Sequence, residues 1–228
     1  MKNIRERIIL GITGSRPGDW EKKIKEIDRL HIQTAALFLS HCQPKWRSSV
    51  YQALLASGIK RIPMVHLRDD MSREELKFLF NNFKTRYFTI HQDHFRVINN
   101  WRGYFKYLYL EFGLPLNRIN RRTRIDIIGG LCVDCSHYMF EKTAHMVEAE
   151  YIDKRSQRKK FFRCNHLNGY DSKENADIHY LSSKRQLDYL KVLPKFIFGD
   201  VIGLEMENSI KQQLGYRDYA IKLLEGKH

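Results

Sequence analysis

Nowhere in the 228 residues does an apolar run approach the roughly 18 needed to cross a bilayer. The opening Met1-Lys2-Asn3-Ile4-Arg5-Glu6 lacks the basic-then-apolar order of a secretory leader, so a cytoplasmic location is expected. Cysteine is scarce. Cys42, Cys132, Cys135 and Cys164 have no framework-like spacing, which argues against a disulfide scaffold and fits a reducing compartment. Only five prolines are present and no break in composition divides the chain, so one domain over residues 1–228 is expected. Acidic residues are also in deficit: 26 Asp and Glu face 40 Lys and Arg, leaving a formal net charge of +14. Such an excess concentrates polyanions near a protein, though salt limits its reach, and makes nucleic acid the natural partner to test.

What is abundant is short apolar runs followed by helical periodicity. Strands are expected over residues 8–13, 34–40, 61–67, 87–91, 107–112, 126–134, 161–167 and 201–206. Between them, residues 21–30, 137–152, 184–193 and 209–224 repeat apolar positions at helical spacing. Ser72 with Glu75 reads as a capping box opening a further helix, while residues 95–106 and 118–124 read as short connections. Eight strands alternating with helices make the expected fold an α/β (β/α)8 TIM barrel, with a doubly wound open sheet as its competitor.

A barrel places its chemistry at the C-terminal ends of its strands, and seven of the eight expected strands run into a metal-capable side chain. These are His41, His66, His91, Glu111, Asp134 with His137, His166 and Glu205. Asp177 and His179, two apart after the seventh strand, point the same way if that segment is extended. One histidine near a strand end is more often a structural hydrogen-bonding residue, and one acid after a strand is commonly a helix cap. Convergence is the stronger signal. Nine ligand-type residues, His66, His91, Glu111, Asp134, His137, His166, Asp177, His179 and Glu205, exceed what one ion can use, which suggests two or three ions sharing carboxylates. Nitrogen-rich donors favour zinc, with manganese or iron as alternatives. The pair Cys132 and Cys135 stands alone with Asp134 between, and reads as buried thiols.

In this order the residues resemble endonuclease IV, the zinc-dependent apurinic/apyrimidinic endonuclease family of the xylose-isomerase-like TIM barrels. Leu131-Cys132-Val133-Asp134-Cys135-Ser136-His137 is similar to that family's L-D-T-C-H segment, and His166-Leu167-Asn168 to its H-L-N-D. Asp177-Ile178-His179 resembles its D-x-H, and Leu110-Glu111 its L-E-N. The resemblance implies three zinc ions. His66 and His91 would hold one, Glu111 would bridge to a second completed by Asp134, His166 and Glu205, and His137, Asp177 and His179 would hold the third. It further implies hydrolysis of DNA 5′ to abasic sites by a cluster-activated water, with Glu111 bridging the activating ions and damaged duplex as partner.

The chain departs from the family in its short segment between His66 and Glu111, in lacking a clear counterpart of the loops that enter DNA, and in carrying Gly169 after Asn168. Substrate contacts are expected from Arg16, Lys45, Trp46, Arg47 and Arg68, with Trp46 equally readable as a base-stacking ring or a hydrophobic contact. The densest basic runs, Arg118 to Arg124 and Lys154 to Lys160, fall at the opposite barrel end. The main alternative is a divalent-metal sugar isomerase or epimerase of the same superfamily, which resembles this chain at Glu111, Asp134, His166 and Glu205. It suits short loops and a small pocket. A barrel without catalysis is the third reading.

Overall fold

A computed structural model describes residues 3–111, 125–144, 147–157 and 161–226. Each expected apolar run places a parallel strand, and the strands close on one another. The first run splits at Leu10 into β1 (Ile8–Ile9) and β2 (Gly11–Ile12). The others give β3 (Ala36–Phe38), β4 (Met64–His66), β5 (Tyr87–Ile90), β6 (Leu108–Glu111), β7 (Gly130–Asp134), β8 (Phe162–Leu167) and, after the hairpin strands β9 and β10, β11 (Val201–Leu204). β1 pairs with β11 while β2 pairs with β3, so the two halves of one strand join the ends of the sheet into a ring. The fold is an α/β TIM-barrel-like barrel of parallel strands.

Helices cover the outside because their apolar stripes need burial. They are α1 (Ile4–Arg7), α2 (Asp19–Arg29), α3 (Pro44–Ala56), α4 (Arg73–Asn82), α5 (Cys135–Thr143), α6 (Val147–Asp153) and α7 (Ile210–Glu225). The expected Ser72–Glu75 capping box opens α4. Trp20 of α2, fully buried, donates from its indole nitrogen to the Phe38 carbonyl at 2.8 Å and so ties helix to barrel. Inside the ring a second cluster of Ala36, Phe38, Met64, Tyr109, Cys132, Cys164 and Val201 fills the barrel below the rim. All four cysteines are buried and free, as buried thiols behave. Among the described residues no helix is long and apolar enough to cross a membrane.

Three expectations change. Residues 184–193 wind as a tighter 3₁₀ helix over Lys184–Lys191, opened by a Ser183–Gln186 capping box. The expected strand 126–134 begins only at Gly130, after a 3₁₀ turn at Ile125–Ile127. The segment after β8, expected as a loop, is an antiparallel hairpin of β9 (Gly169–Asp171) and β10 (Ala176–Ile178). The basic residues Arg118, Arg121, Arg122, Arg124, Arg158, Lys159 and Lys160 lie outside the described residues, as do Phe112 and the connection 118–124.

Gly130 shows why β7 starts where it does. Its φ of 139° lies in a region that favours glycine, and a Cβ there would stand 2.4 Å from the Phe161 carbonyl oxygen. Gly130→Ala is therefore expected to destabilise the fold by about 1–3 kcal/mol in urea unfolding. An unchanged midpoint would show that the turn tolerates a side chain.

Candidate functional site

The parallel barrel carries its acids and histidines to one rim. Glu111 ends β6, Asp134 ends β7, His166 lies near the end of β8 and Glu205 follows β11. Register sets them side by side: Asp134 pairs with His166, and His166 with Gly203. His66 ends β4, His91 follows β5, and His137 sits in the first turn of α5. The β9–β10 hairpin folds back over the rim and delivers Asp177, with His179 just beyond it.

Glu111, itself buried, is the hub. Its Oε2 lies 2.7 Å from His66 Nε2, 3.1 Å from His166 Nδ1 and 3.5 Å from His91 Nε2. Glu205 Oε2 approaches the same His166 Nδ1 at 3.1 Å. His137 Nδ1 stands 3.9 Å from both Glu111 Oε1 and Asp134 Oδ1, and its Nε2 is 3.5 Å from Asp177 Oδ2. His179 Nε2 reaches Asp177 Oδ2 at 3.2 Å. The structure thus brings all nine expected side chains to a single mouth.

The outer ring nitrogens show what the inner ones do. His66 Nδ1 donates to the Leu67 carbonyl at 3.0 Å, and His179 Nδ1 to the Glu205 carbonyl at 3.1 Å. A carbonyl only accepts, so in the neutral ring the inward Nε2 carries a lone pair. His66 then presents that lone pair to a carboxylate at 2.7 Å, an arrangement that repels unless a cation lies between. His166 Nε2 pairs with the Thr89 hydroxyl at 3.0 Å, and its buried Nδ1 faces two carboxylates without meeting hydrogen-bond geometry to either. Histidines pinned by outer hydrogen bonds with inner nitrogens aimed at shared carboxylates are how proteins orient metal ligands. Asp134 is fixed likewise. Its Oδ1 accepts from the Ser136 backbone, the Ser136 hydroxyl and the His137 backbone at 2.9 Å each, and its Oδ2 from Asn168 at 3.2 Å.

Charge balance follows from this crowding. Burial would keep Glu111 protonated, but His166 and His66 outweigh it and hold its carboxyl well below the usual range. Glu205 is drawn to about 2 by His166 against the same burial penalty. Burial raises Asp134, which lacks so close a cationic partner. Burial opposes a charge on His137, yet Asp134 and Asp177 lift it to about 10, and Asp177 lifts His179 to about 9. His66, fully enclosed, is pushed down by burial. Without a metal the cluster must hold protons; a cation would take their place.

Among the described residues three donor sets have ligand atoms within 4.8 Å of one another: Glu111, Asp134, His166 and Glu205; His66 with Glu111 and His166; and, further out, His91 with Asp93 and His94. Above them opens a cavity of about 310 Å³ whose wall includes Ser40, His41, His91, His94 and His179. His94 was not among the expected site residues, and His41 was expected only as a metal-capable strand-end residue outside the nine ligands. The H-x-x-H spacing of His91 and His94 was a visible signal. His94 is buried, accepts from the His91 backbone N–H through Nδ1 at 3.3 Å, and is pushed down to about 4 by burial and by its imidazole neighbours.

The expected substrate contacts fare differently. Arg16 is exposed at the rim beside the first strand, and Lys45 lies over the Trp46 ring at 5.5 Å. Trp46 packs against the core and tilts onto Trp20 with centroids 6.2 Å apart, the hydrophobic contact rather than the stacking ring. Arg68 pairs with Asp70 at 2.8 Å. Arg47 is not available to substrate. Its side chain is buried, bonded to Glu75 and Asp70 at 2.7 Å each and to the Cys42 carbonyl at 3.1 Å, so it binds α3 to the β4–α4 loop.

No family model matches the chain, and no curated protein matches it. Solved structures that resemble it include the probable 3-DHS dehydratase AsbF of Bacillus anthracis, 13% identical over 89% of this chain and 92% of that one, with a TM-score of 0.45. The type I 3-dehydroquinate dehydratase of Clostridium difficile is 11% identical over 97% and 94%, also with a TM-score of 0.45. Membership of the endonuclease IV family is not shown. The expectation of a zinc endonuclease cutting DNA 5′ to abasic sites is corrected: the two structures named are described as dehydratases, not nucleases. Physically, the cavity over the acids is small, Arg47, assigned to the DNA grip, is buried in ion pairs, and Trp46 is partly buried against the core.

Arg47→Met should lower stability by about 3 kcal/mol in urea unfolding, because it leaves Glu75 and Asp70 without their shared cation, while metal content stays unchanged. Normal stability with loss of substrate binding would restore Arg47 to the site.

Proposed function

We propose that this chain is a divalent-metal enzyme that isomerises, epimerises or dehydrates a small hydroxylated carbonyl compound. The observation that carries the reading is the set of four converging donors, Glu111, Asp134, His166 and Glu205, of which Glu111 and Glu205 open onto a cavity of about 310 Å³. The lone-pair confrontation at His66 and the buried His166 Nδ1, set between two carboxylates without a hydrogen-bond partner, are the test of fit, and the donors pass it. A mixed oxygen and nitrogen set accepts manganese, magnesium or zinc. A bound ion would polarise the substrate's carbonyl and hydroxyl oxygens and so acidify the neighbouring C–H.

The chain's own groups then handle the proton. His91 is half-exposed at the mouth, with Nε2 3.1 Å from His66 Nε2 and 3.5 Å from Glu111, placed to take a proton from a substrate carbon. His179, kept charged beside Asp177, faces the same cavity and donates to the departing or returning oxygen. Glu111 and Glu205, which line the cavity, orient the oxygens.

Elemental analysis with and without chelator, alongside proton NMR of solvent-deuterium exchange into aldoses and hydroxy-keto acids, tests the reading. One divalent ion per chain is expected, with Glu205→Gln weakening metal affinity by about tenfold or more and abolishing exchange. Three ions per chain would commit His66, His91, His137 and His179 to metal and remove the proposed proton carriers. Full loading without exchange in any hydroxy-carbonyl compound would contradict the reaction class.

A further inference from the structure

Three hollows at the rim share walls and form one trough. The cavity over the metal donors continues past Ser40, His41, His179 and Glu205 into a constriction of about 80 Å³, which Thr13 and Gly14 close on the far side. Beyond it lies an outer hollow of about 380 Å³, between the loop 13–18 and the start of α7.

The outer hollow is built differently from the inner one. It carries Arg16, Lys22 and Lys23, none of them in an ion pair among the described residues. Lys23 is buried, and its ammonium donates to the Thr13 hydroxyl at 2.5 Å and to the Met206 carbonyl at 2.7 Å. Neither acceptor is a carboxylate; Glu207, Asp19 and Glu26 act on this buried charge only from beyond ion-pair distance, so an incoming anion would supply the direct partner it lacks. Burial pushes Lys23 down to about 8.

Two of the three acids beside these cations keep their charge, but each points an oxygen at backbone N–H groups. Asp19 Oδ2 accepts from the backbone of Ser15 at 3.1 Å and of Arg16 at 2.8 Å, and Glu26 Oε2 accepts from the backbone of Ile210 at 2.7 Å. Glu207 is exposed. The eleven-residue α2 also opens here, at Gly18, without a side-chain cap.

We propose that this outer hollow binds an anionic group of the substrate: a phosphate or carboxylate at the end remote from the carbons that react over Glu111 and His166. The inference rests on the small-substrate reading above and narrows it to sugar phosphates or polyhydroxy acids. Arg16 and Lys22 supply exposed, movable donors, and Lys23 supplies the fixed buried charge at the bottom.

Calorimetric titration of the full chain with inorganic phosphate and with gluconate tests this, using the wild type, the double variant Arg16→Gln/Lys22→Gln, and Lys23→Met. Saturable binding is expected, weakened about tenfold or more in the double variant at unchanged metal content, since a charge-assisted contact is lost. Tighter phosphate binding would identify a phosphorylated substrate; tighter gluconate binding would identify a sugar acid. Because Arg16 and Lys22 are exposed, their variant remains informative if Lys23→Met fails to fold. No phosphate or gluconate binding below about 10 mM, or equal binding by wild type and double variant, overturns the inference. The titration is repeated on chelator-treated protein, so anion binding stands or falls separately from the metal and the reaction.

Discussion

A buried carboxylate surrounded by imidazole nitrogens is unstable unless something positive sits among them. Glu111 is in that position: His66, His91 and His166 face one of its oxygens, and the outer nitrogens of His66 and His166 are already held by Leu67 and Thr89. Separating ions from water costs several kcal/mol each, so such a cluster persists only with a compensating charge. Everything else at the rim follows from that demand. The N-cap contacts fix Asp134, the hairpin β9–β10 adds Asp177, and the close approach of Glu205 to His166 completes the inner set.

The barrel supplies the rigidity this arrangement needs. Six of the nine side chains come from the ends of separate parallel strands or the residue just after them, whose spacing is fixed by backbone pairing rather than by loop conformation. Beneath them the apolar interior excludes water, with Phe38 set edge-on against His166 at 5.1 Å. The trough running outward from the inner cavity gives the same rim a second end, where Arg16, Lys22 and Lys23 stand among Asp19, Glu26 and Glu207. A site with two polar hollows joined by a constriction selects molecules by length as well as by functional group.

Much of this was legible in the chain because two periodicities are local. Apolar runs located all eight strand positions, and their ends located His66, His91, Glu111, Asp134, His166 and Glu205. What was not legible depends on contacts between distant segments. Arg47 looks like a free rim cation until Asp70 and Glu75, some 23 to 28 residues on, fold against it. The β9–β10 hairpin lacks an apolar alternation, and its turn uses Asn175 at a φ of 49°, so it reads as loop. Lys23 sits on a helix that looks solvated, and only the approach of Thr13 and Met206 buries it. Resemblance of ligand order suggested a nuclease, but the same ligands at strand ends suit several chemistries; the space above them decides between them.

The most direct test of the account is anomalous X-ray diffraction from crystals of the metal-stripped protein soaked in manganese. The account predicts a strong peak among the side chains of Glu111, Asp134, His166 and Glu205. A fully soaked crystal with no peak there, or with its manganese bound only at surface acids, would contradict it.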